Sequence, residues 1–134
     1  MNVLLDSHIL LWALTDDVRL SQKAREYISN PDNFIFYSVA SVWELAIKHQ
    51  LHPEIIEFSS EELIAYCDEA GYESLDLSLE HVLMLETLKR PETAPKHKDP
   101  FDRILISQAK ADDMVFLTHD ELLPDNGENC VVLV

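Results

Sequence analysis

The sequence predicts an α/β fold, a three-layer α/β/α sandwich with a central parallel sheet, formed by a single domain over residues 1–134. Short apolar runs alternate along the chain with segments of helical periodicity, an order typical of α/β folds. The runs are apolar almost throughout, as expected for strands that helices cover on both faces of a sheet. With 134 residues and a hydrophobic fraction of 47%, the chain can bury one sizeable core but not two.

The predicted strands are short runs rich in Val, Leu, Ile and Phe. A weaker candidate is "YESLDLS" at residues 72–78, because polar residues interrupt it. The stronger candidates are residues 2–6 ("NVLLD"), 34–38 ("FIFYS"), 115–118 ("VFLT") and 130–134 ("CVVLV").

The segments between the strands carry apolar residues at intervals of three and four, the spacing of one helix face. The last of these segments begins with "DPFDR", in which Asp99 suits the N-cap and Pro100 the first helical position. Because helices separate the strands, we expect a ligand site outside the carboxyl ends of a parallel sheet. The predicted helices span residues 9–14, 21–29, 40–50, 60–70, 79–88 and 101–111.

The composition predicts a cytoplasmic protein without membrane attachment. The apolar N-terminus carries Asp6 and lacks a basic leader, so no signal peptide is expected. No apolar run approaches the roughly 20 residues that span a bilayer. Cys67 and Cys130 lie far apart in apolar surroundings, which argues against a disulfide framework or a cysteine metal site.

The formal net charge of -15 should repel nucleic acid at long range. Half of the lysines and arginines, however, lie in the stretch "KRPETAPKHKDPFDR". Two interpretations stay open, a loop solvated by charge and a segment that contacts an anionic substrate. The basic residues of this stretch are Lys89, Arg90, Lys96, Lys98 and Arg103.

Asp6 and Asp120 are predicted to project from the same edge of the sheet. Asp6 ends the first strand, and Asp120 follows the strand "VFLT" by two residues. For each aspartate alone, a helix N-cap is the simpler explanation. Together, two carboxylates from distant parts of the chain are expected to meet in one crevice at the carboxyl ends of the strands.

Glu44 lies at the border of an apolar stripe on the predicted third helix, beside Trp43. The alternative to a site role is a surface ion pair with Lys48, four residues later, in the order that stabilises a helix by about 0.2–0.5 kcal/mol. Trp43 itself is assigned to core packing rather than to chemistry.

Asp102 is predicted to lie on the face of the last helix that presses against the sheet, between Leu105, Ile106 and Ala109. An acid in the first turn gains about 0.3–1 kcal/mol from the helix dipole. Burial of an unpaired carboxylate costs several kcal/mol, which exceeds that gain, so Asp102 needs a cation, a hydrogen-bond donor or a proton.

Carboxylates clustered without a matching buried lysine or arginine would repel one another. Mg²⁺ or Mn²⁺ takes oxygen ligands and would relieve this repulsion, and such an ion supports phosphodiester chemistry. The six histidines show no HExxH pattern and are assigned to the surface or to caps rather than to zinc. The predicted cluster comprises Asp6, Glu44, Asp102 and Asp120.

Four motifs in this order resemble those of PIN-domain ribonucleases, in particular VapC-like toxins of type II toxin–antitoxin pairs. They are "LLDSHILLWAL", "SVASVWELAIKHQL", "HKDPFDRILISQA" and "VFLTHD", and they cover nearly the whole chain.

The resemblance implies a PIN-like sandwich in which Asp6, Glu44, Asp102 and Asp120 are catalytic and hold Mg²⁺ or Mn²⁺, with Asp99 as a neighbouring acid. It also implies endonucleolytic cleavage of RNA to 5′-phosphate and 3′-hydroxyl ends, a cognate antitoxin whose C-terminal segment covers the site, and a homodimer. Because of its prolines and its share of the basic residues, the segment 89–98 is predicted to guide RNA, with Lys96, Lys98 and Arg103 as contacts.

Three other classes of protein are alternatives to this one. A phosphoacceptor receiver domain needs paired acids after its first strand and a lysine after its last core strand, and a haloacid-dehalogenase-type phosphatase needs an aspartate where His8 stands. A catalytically inactive PIN-like binding module is the remaining alternative, against which the full set of acids argues.

Overall fold

A computed structural model describes residues 1–89, 99–121, 123–126 and 128–134, and it shows a parallel sheet of five strands in these ranges. All four strand pairings are parallel, and the strand order is β3-β2-β1-β4-β5. The strands are β1 (Asn2–Leu5), β2 (Phe34–Ser38), β3 (Glu73–Leu75), β4 (Val115–Thr118) and β5 (Val131–Leu133).

Six α-helices flank this sheet within the described ranges, which confirms the predicted α/β/α sandwich. These ranges also contain the short 3₁₀ turns Leu85–Thr87 and Leu123–Asn126. The helices are α1 (Ser7–Thr15), α2 (Gln22–Ser29), α3 (Val39–Leu51), α4 (Ser60–Ala70), α5 (Leu79–Met84) and α6 (Pro100–Ala111).

The central strand β1 has β2 on one side and β4 on the other, so the chain reverses its direction of travel across the sheet at this point. In open α/β sheets, ligands bind in the crevice at such a switch point, outside the carboxyl ends of the strands. The loops that follow β1 and β4 therefore lie where a ligand site is expected.

Alternation of side chains along the strands builds a separate core on each face of the sheet. Val3 and Leu5 of β1 belong to one core, which α1, α2 and α4 cover. Leu4, between them in sequence, belongs to the other core with Phe116 of β4 and the apolar residues of α6. Because both faces are covered, β1, β2, β4 and β5 are apolar at most positions, as predicted, whereas the short strand β3 carries the exposed Glu73 and Ser74.

Serine side chains cap the N-termini of several helices. The Ser59 hydroxyl accepts a hydrogen bond from the Glu62 backbone N–H, and the Glu62 carboxylate accepts one from the Ser59 backbone N–H, which completes a capping box at the start of α4. Ser38 caps α3 and also donates a 2.6 Å hydrogen bond to Gln108 Oε1 of α6. This buried contact fixes the start of α3 against α6.

The helix predicted over residues 79–88 is shorter than expected. It ends at Met84 and continues as the 3₁₀ turn Leu85–Thr87. The Thr87 hydroxyl donates to the Met84 carbonyl at 2.7 Å, a local bond that competes with the α-helical pattern of backbone hydrogen bonds.

The assignment of Trp43 to the core was wrong, because its side chain is 60% exposed. It packs edge-on against Phe101 at a ring-centroid distance of 5.0 Å. The buried residues of α3 instead include the polar Ser41 and Glu44, beside Ala40 and Leu45. The polar pair can be buried because it hydrogen-bonds with Ser7 of α1.

None of the helices in the described ranges is both long enough and apolar enough to cross a membrane. Cys67 and Cys130 are both free thiols.

Candidate active site

Asp6 follows β1 directly and is buried at the carboxyl edge of the sheet. Its backbone N–H extends the pairing with β4 by donating to the Leu117 carbonyl at 3.0 Å. Asp6 occupies the N-cap position of α1, but its side chain makes no capping hydrogen bond. Its Oδ2 atom instead accepts a 2.6 Å hydrogen bond from Thr118 Oγ1, so a capping role does not account for this carboxylate.

Thr118, the last residue of β4, joins the two strand ends. Its buried hydroxyl donates to Asp6 and accepts a 3.0 Å hydrogen bond from the Asp120 backbone N–H. One side chain therefore holds both the Asp6 carboxylate and the loop that carries Asp120. The sequence analysis did not single out Thr118, although its position at the end of a strand, two residues before an acid, was a usable signal.

Glu44 projects from the buried side of α3 and is held at both carboxylate oxygens. Ser7 Oγ lies 2.8 Å from Glu44 Oε1 and 2.9 Å from Ser41 Oγ. A hydroxyl has one proton and a carboxylate only accepts, so Ser7 donates to Glu44 and accepts from Ser41. Lys48 Nζ lies 2.8 Å from Glu44 Oε2. The ion pair considered from the sequence is present, but its acid is buried.

The start of α6 carries Asp99 and Asp102. The Asp99 side chain accepts a 2.9 Å hydrogen bond from the Phe101 backbone N–H, which confirms the predicted N-cap. Asp102 is half-buried, as the position of its side chain on the helix predicted. Burial, together with the charges of Asp6, Asp99, Glu44 and Asp120, raises the pKa of Asp102 to about 8.

Burial also raises the pKa of Asp6, against the hydrogen bond from Thr118, which favours the ionised form. The two carboxyl groups with raised pKa values, Asp6 and Asp102, come from distant segments of the chain. Perturbed pKa values of this kind cluster at functional sites because burial and like charges are concentrated there.

One cavity of about 290 Å³ brings together all five acids that the sequence analysis named. They come from the ends of β1 and β4 and from the helices α3 and α6, around the switch point of the sheet. The cavity is lined by Asp6, His8, Glu44, Lys48, Asp99, Asp102, His119 and Asp120.

The donor chemistry of this cavity fits a hard divalent cation, because its walls offer several carboxylates. As the side chains stand, however, no three His, Cys, Asp or Glu residues of the described ranges are grouped closely enough to hold one ion. Part of the reason lies at Glu44, where Ser7 and Lys48 each donate a hydrogen bond to one of the two carboxylate oxygens. Carboxylates that repel one another are expected to stay apart without a cation between them.

A second, larger cavity of about 510 Å³ adjoins the first and shares His8 and Lys48 with it. We call it the apolar groove, because aliphatic and aromatic side chains form much of its wall. Arg19 and Asp17 lie at its polar side. Its apolar members are Leu11, Trp12, Ile55, Ile56 and Phe58.

The Trp12 ring contacts three side chains near the acidic cavity and the apolar groove, those of His8, His119 and Arg19. His8 stacks on its ring with centroids 5.9 Å apart, and His119 approaches edge-on at 5.0 Å. The Arg19 guanidinium lies 5.1 Å from the ring centroid, within the range of a cation–π contact. The two histidines beside the acids thus pack on an aromatic ring.

Of the three basic residues predicted to contact RNA, Arg103 is in the described part of the chain. Lys96 and Lys98 lie outside the described residues, as does most of the predicted guiding segment 89–98. Arg103 is described and is half-buried on α6, but it lines neither the acidic cavity nor the apolar groove. The lysine that lines the acidic cavity is Lys48, which the sequence analysis named only as a surface ion-pair partner of Glu44.

Comparison with known proteins agrees with this architecture. A family model described as the PIN domain matches residues 3–129. No curated protein matches the chain significantly. Among solved structures, the chain is similar to one in the crystal structure of VapBC2 from Rickettsia felis bound to a DNA fragment from their promoter. The two share 17% sequence identity and a TM-score of 0.69, over 100% of this chain and 98% of that chain.

The family match covers nearly the whole sequence, and the structural match extends over all of it at an identity that speaks for the fold alone. PIN domains as a family are nucleases, so the match supports a hydrolase that acts on phosphodiester bonds. From its acid motifs, its parallel sheet and this match, we conclude that the chain belongs to the PIN-domain family.

Proposed function

We propose that this PIN domain is a metal-dependent endoribonuclease and the toxin of a toxin–antitoxin pair. It hydrolyses RNA to 5′-phosphate and 3′-hydroxyl ends in the cytoplasm. The observation that carries the proposal is the convergence of five acids from four elements in one cavity at the switch point of the sheet. A binding module without activity would not require this concentration of partly buried carboxylates, whose repulsion is costly.

The chain's own residues would act mainly by positioning. Thr118 orients the Asp6 carboxylate, and Ser7 orients Glu44, each through a hydroxyl that donates to one oxygen. With its pKa at about 8, Asp102 can hold a proton at neutral pH in the metal-free protein. The half-buried setting limits competition from water for these groups.

Asp6, Glu44, Asp102 and Asp120 are the proposed metal ligands, with Asp99 as a fifth acid of the cavity that also caps α6. Oxygen ligands of this kind favour Mg²⁺ or Mn²⁺. When bound, such an ion would stabilise negative charge on a phosphoryl oxygen and would lower the pKa of a bound water. Metal binding would also relieve the repulsion that raises the pKa of Asp102, so binding of metal and of protons should compete there.

The proposed activity is tested by incubating the purified chain with end-labelled tRNA and other structured RNAs. We expect cleavage with Mg²⁺ or Mn²⁺, no cleavage in EDTA, and recovery when Mn²⁺ is added back. Asp102→Asn should lower the rate by orders of magnitude because it removes an anionic ligand. Glu61→Gln, an equal change of charge at an exposed position of α4, should leave the rate unchanged. Undiminished cleavage in EDTA would rule out the metal mechanism.

The apolar groove supports an antitoxin as the partner. It is next to the acidic cavity and shares Lys48 and His8 with it, so one segment could lay apolar side chains in the groove and place a cation among the acids. The net charge of -15 favours a basic segment. The similar R. felis chain comes from the crystal structure of VapBC2 bound to a promoter DNA fragment, which agrees with a partner of this kind.

A stripe of apolar side chains on α3 supports the proposed homodimer. Its members are spaced by four residues, so neighbouring members contact each other and form an inclined ridge on the helix surface, and all are exposed to solvent. Contiguous exposed apolar surface of this kind marks interaction sites on soluble proteins. We call it the α3 stripe; it consists of Val39, Trp43, Ile47 and Leu51.

A further inference from the structure

Lys48 is the only lysine or arginine that lines the acidic cavity in the described part of the chain. It lies one helical turn after Glu44 on α3, and its Nζ atom is 2.8 Å from Glu44 Oε2. The side chain of Glu44 is 9% exposed, whereas that of Lys48 is 40% exposed. The ammonium thus reaches from the buried acid towards solvent.

Glu44 can hold this ammonium in place because Glu44 itself is fixed. Ser7 donates to its other oxygen, and Ser7 in turn contacts Ser41 on the same buried side of α3. An ammonium group has three N–H donors, and this contact with Glu44 uses one of them. Lys48 is therefore a positioned cation with further donors, unlike a solvated lysine that samples many orientations.

The position of Lys48 matches the place where an anionic strand would need a cation. Lys48 lines both the acidic cavity and the apolar groove, so its ammonium lies at the junction between them. The cavity walls carry five carboxylates, and the whole chain carries a charge of -15. A phosphate next to the cleaved bond would be repelled there without a positive charge of the protein's own.

We infer that Lys48, held by Glu44, binds a phosphate of the RNA strand at the junction between the acidic cavity and the apolar groove. This inference rests on the proposed ribonuclease function and deepens it, because it assigns a substrate-binding role to a residue outside the acid set. The ion pair then does more than stabilise the helix, because Glu44 positions the Lys48 ammonium that binds the substrate phosphate.

The test measures binding of end-labelled tRNA as a function of salt concentration, in an Asp102→Asn background that prevents cleavage. Loss of one phosphate contact should reduce the slope of log affinity against log salt by about 0.7, which corresponds to roughly tenfold weaker binding at about 50 mM salt. We expect this for Lys48→Met and for Lys48→Gln, the latter keeping a donor for Glu44. Lys48→Arg should retain most of the slope.

Lys23→Met is the matched control. Lys23 is a lysine of α2 whose Nζ contacts the Leu133 carbonyl, outside the acidic cavity and the apolar groove, and its loss changes the net charge equally. It should leave the slope unchanged. Calorimetry with Mn²⁺ alone on Lys48→Gln in the otherwise unaltered chain supplies a second readout. Mn²⁺ affinity should be kept or increased, because a cation next to a proposed ligand has been removed.

An unchanged salt slope in Lys48→Gln and Lys48→Met would overturn the inference, and so would an equal loss of slope in Lys23→Met. Loss of Mn²⁺ binding with an unchanged slope would show that Lys48 only organises Glu44. These failures are distinct from failure of the proposed function, which would appear as absence of both tRNA binding and metal-dependent cleavage in the unaltered chain.

Discussion

Asp102 combines a half-buried carboxyl group with four neighbouring acids, and its protonation links the site to stability. Its pKa of about 8 in the folded protein stands against an ordinary value of 3.8. Between these values the folded state keeps a proton that the unfolded state has released. Stability of the metal-free protein should therefore fall as the pH rises from about 4 to about 8.

Asp102→Asn should remove this component of the pH dependence. In EDTA, we expect the variant to melt at a higher temperature than the parent, by a margin that grows between pH 5 and pH 9, because only the parent acquires the buried charge. Thermal melting across this range measures the margin. A margin that stays constant with pH would show that Asp102 does not carry the extra proton.

Asp99 provides the matched control at the same helix start. Its side chain caps α6 through the Phe101 N–H, and asparagine caps about as well, so Asp99→Asn should change stability little. Asp99→Ala should cost roughly 0.5–2 kcal/mol. If Asp99→Asn instead reproduced the pH-dependent margin of Asp102→Asn, the roles of the two aspartates would be reversed.

At the scale of the element, α3 presents two unlike faces. One face buries the polar Ser41 and Glu44 and serves the acidic cavity, while the α3 stripe leaves apolar side chains in solvent. Ala40 and Leu45 are buried beside this polar pair, so α3 packs on the core as well as contributing to the cavity. The exposed apolar side chains agree with the proposed homodimer.

Leu51→Glu should disrupt the proposed homodimer. Leu51 ends the α3 stripe and is 67% exposed. It lies two helical turns beyond Glu44, about 10 Å along the helix axis, so a charge there should oppose dimer formation at a distance from the acids. Sedimentation at several protein concentrations should show a shift from dimer to monomer. Val18→Glu, an equal change at a side chain that is 95% exposed, is the control.

A parent chain that stays monomeric at tens of micromolar, at both low and high salt, would contradict the proposed homodimer. The α3 stripe would then be a surface for another partner. Both salt conditions are needed because two chains of charge -15 repel each other, and screening weakens that repulsion.

At the scale of the whole molecule, the charge of -15 makes the protein a better partner for a basic polypeptide than for free RNA. We expect inhibition by the antitoxin to depend on lysines and arginines in its C-terminal segment, which would compete with metal for the acids. Replacing them by alanine should release ribonuclease activity. Replacing neutral polar residues of the same segment is the control. Inhibition that persists at equal occupancy would mean that the site is blocked in another way.

The sequence by itself determined the features that depend on near neighbours in the chain. The order of strands and helices follows from apolar runs and periodicity, and the Asp99 cap follows from "DPFDR". The acids could be named because each lies at the end of a predicted strand or near the start of a predicted helix. The parallel arrangement then implied that they would meet at one edge of the sheet.

Only the tertiary structure decided which side of α3 is buried and which side chains hold the acids. Periodicity defines a stripe on a helix but not what covers it, so Trp43 was assigned to the core and is exposed. Thr118 and Asp6 are separated by 112 positions, and Ser7 and Glu44 by 37. No local pattern encodes such pairs, because their energy comes from hydrogen bonds that exist only once distant segments have packed together.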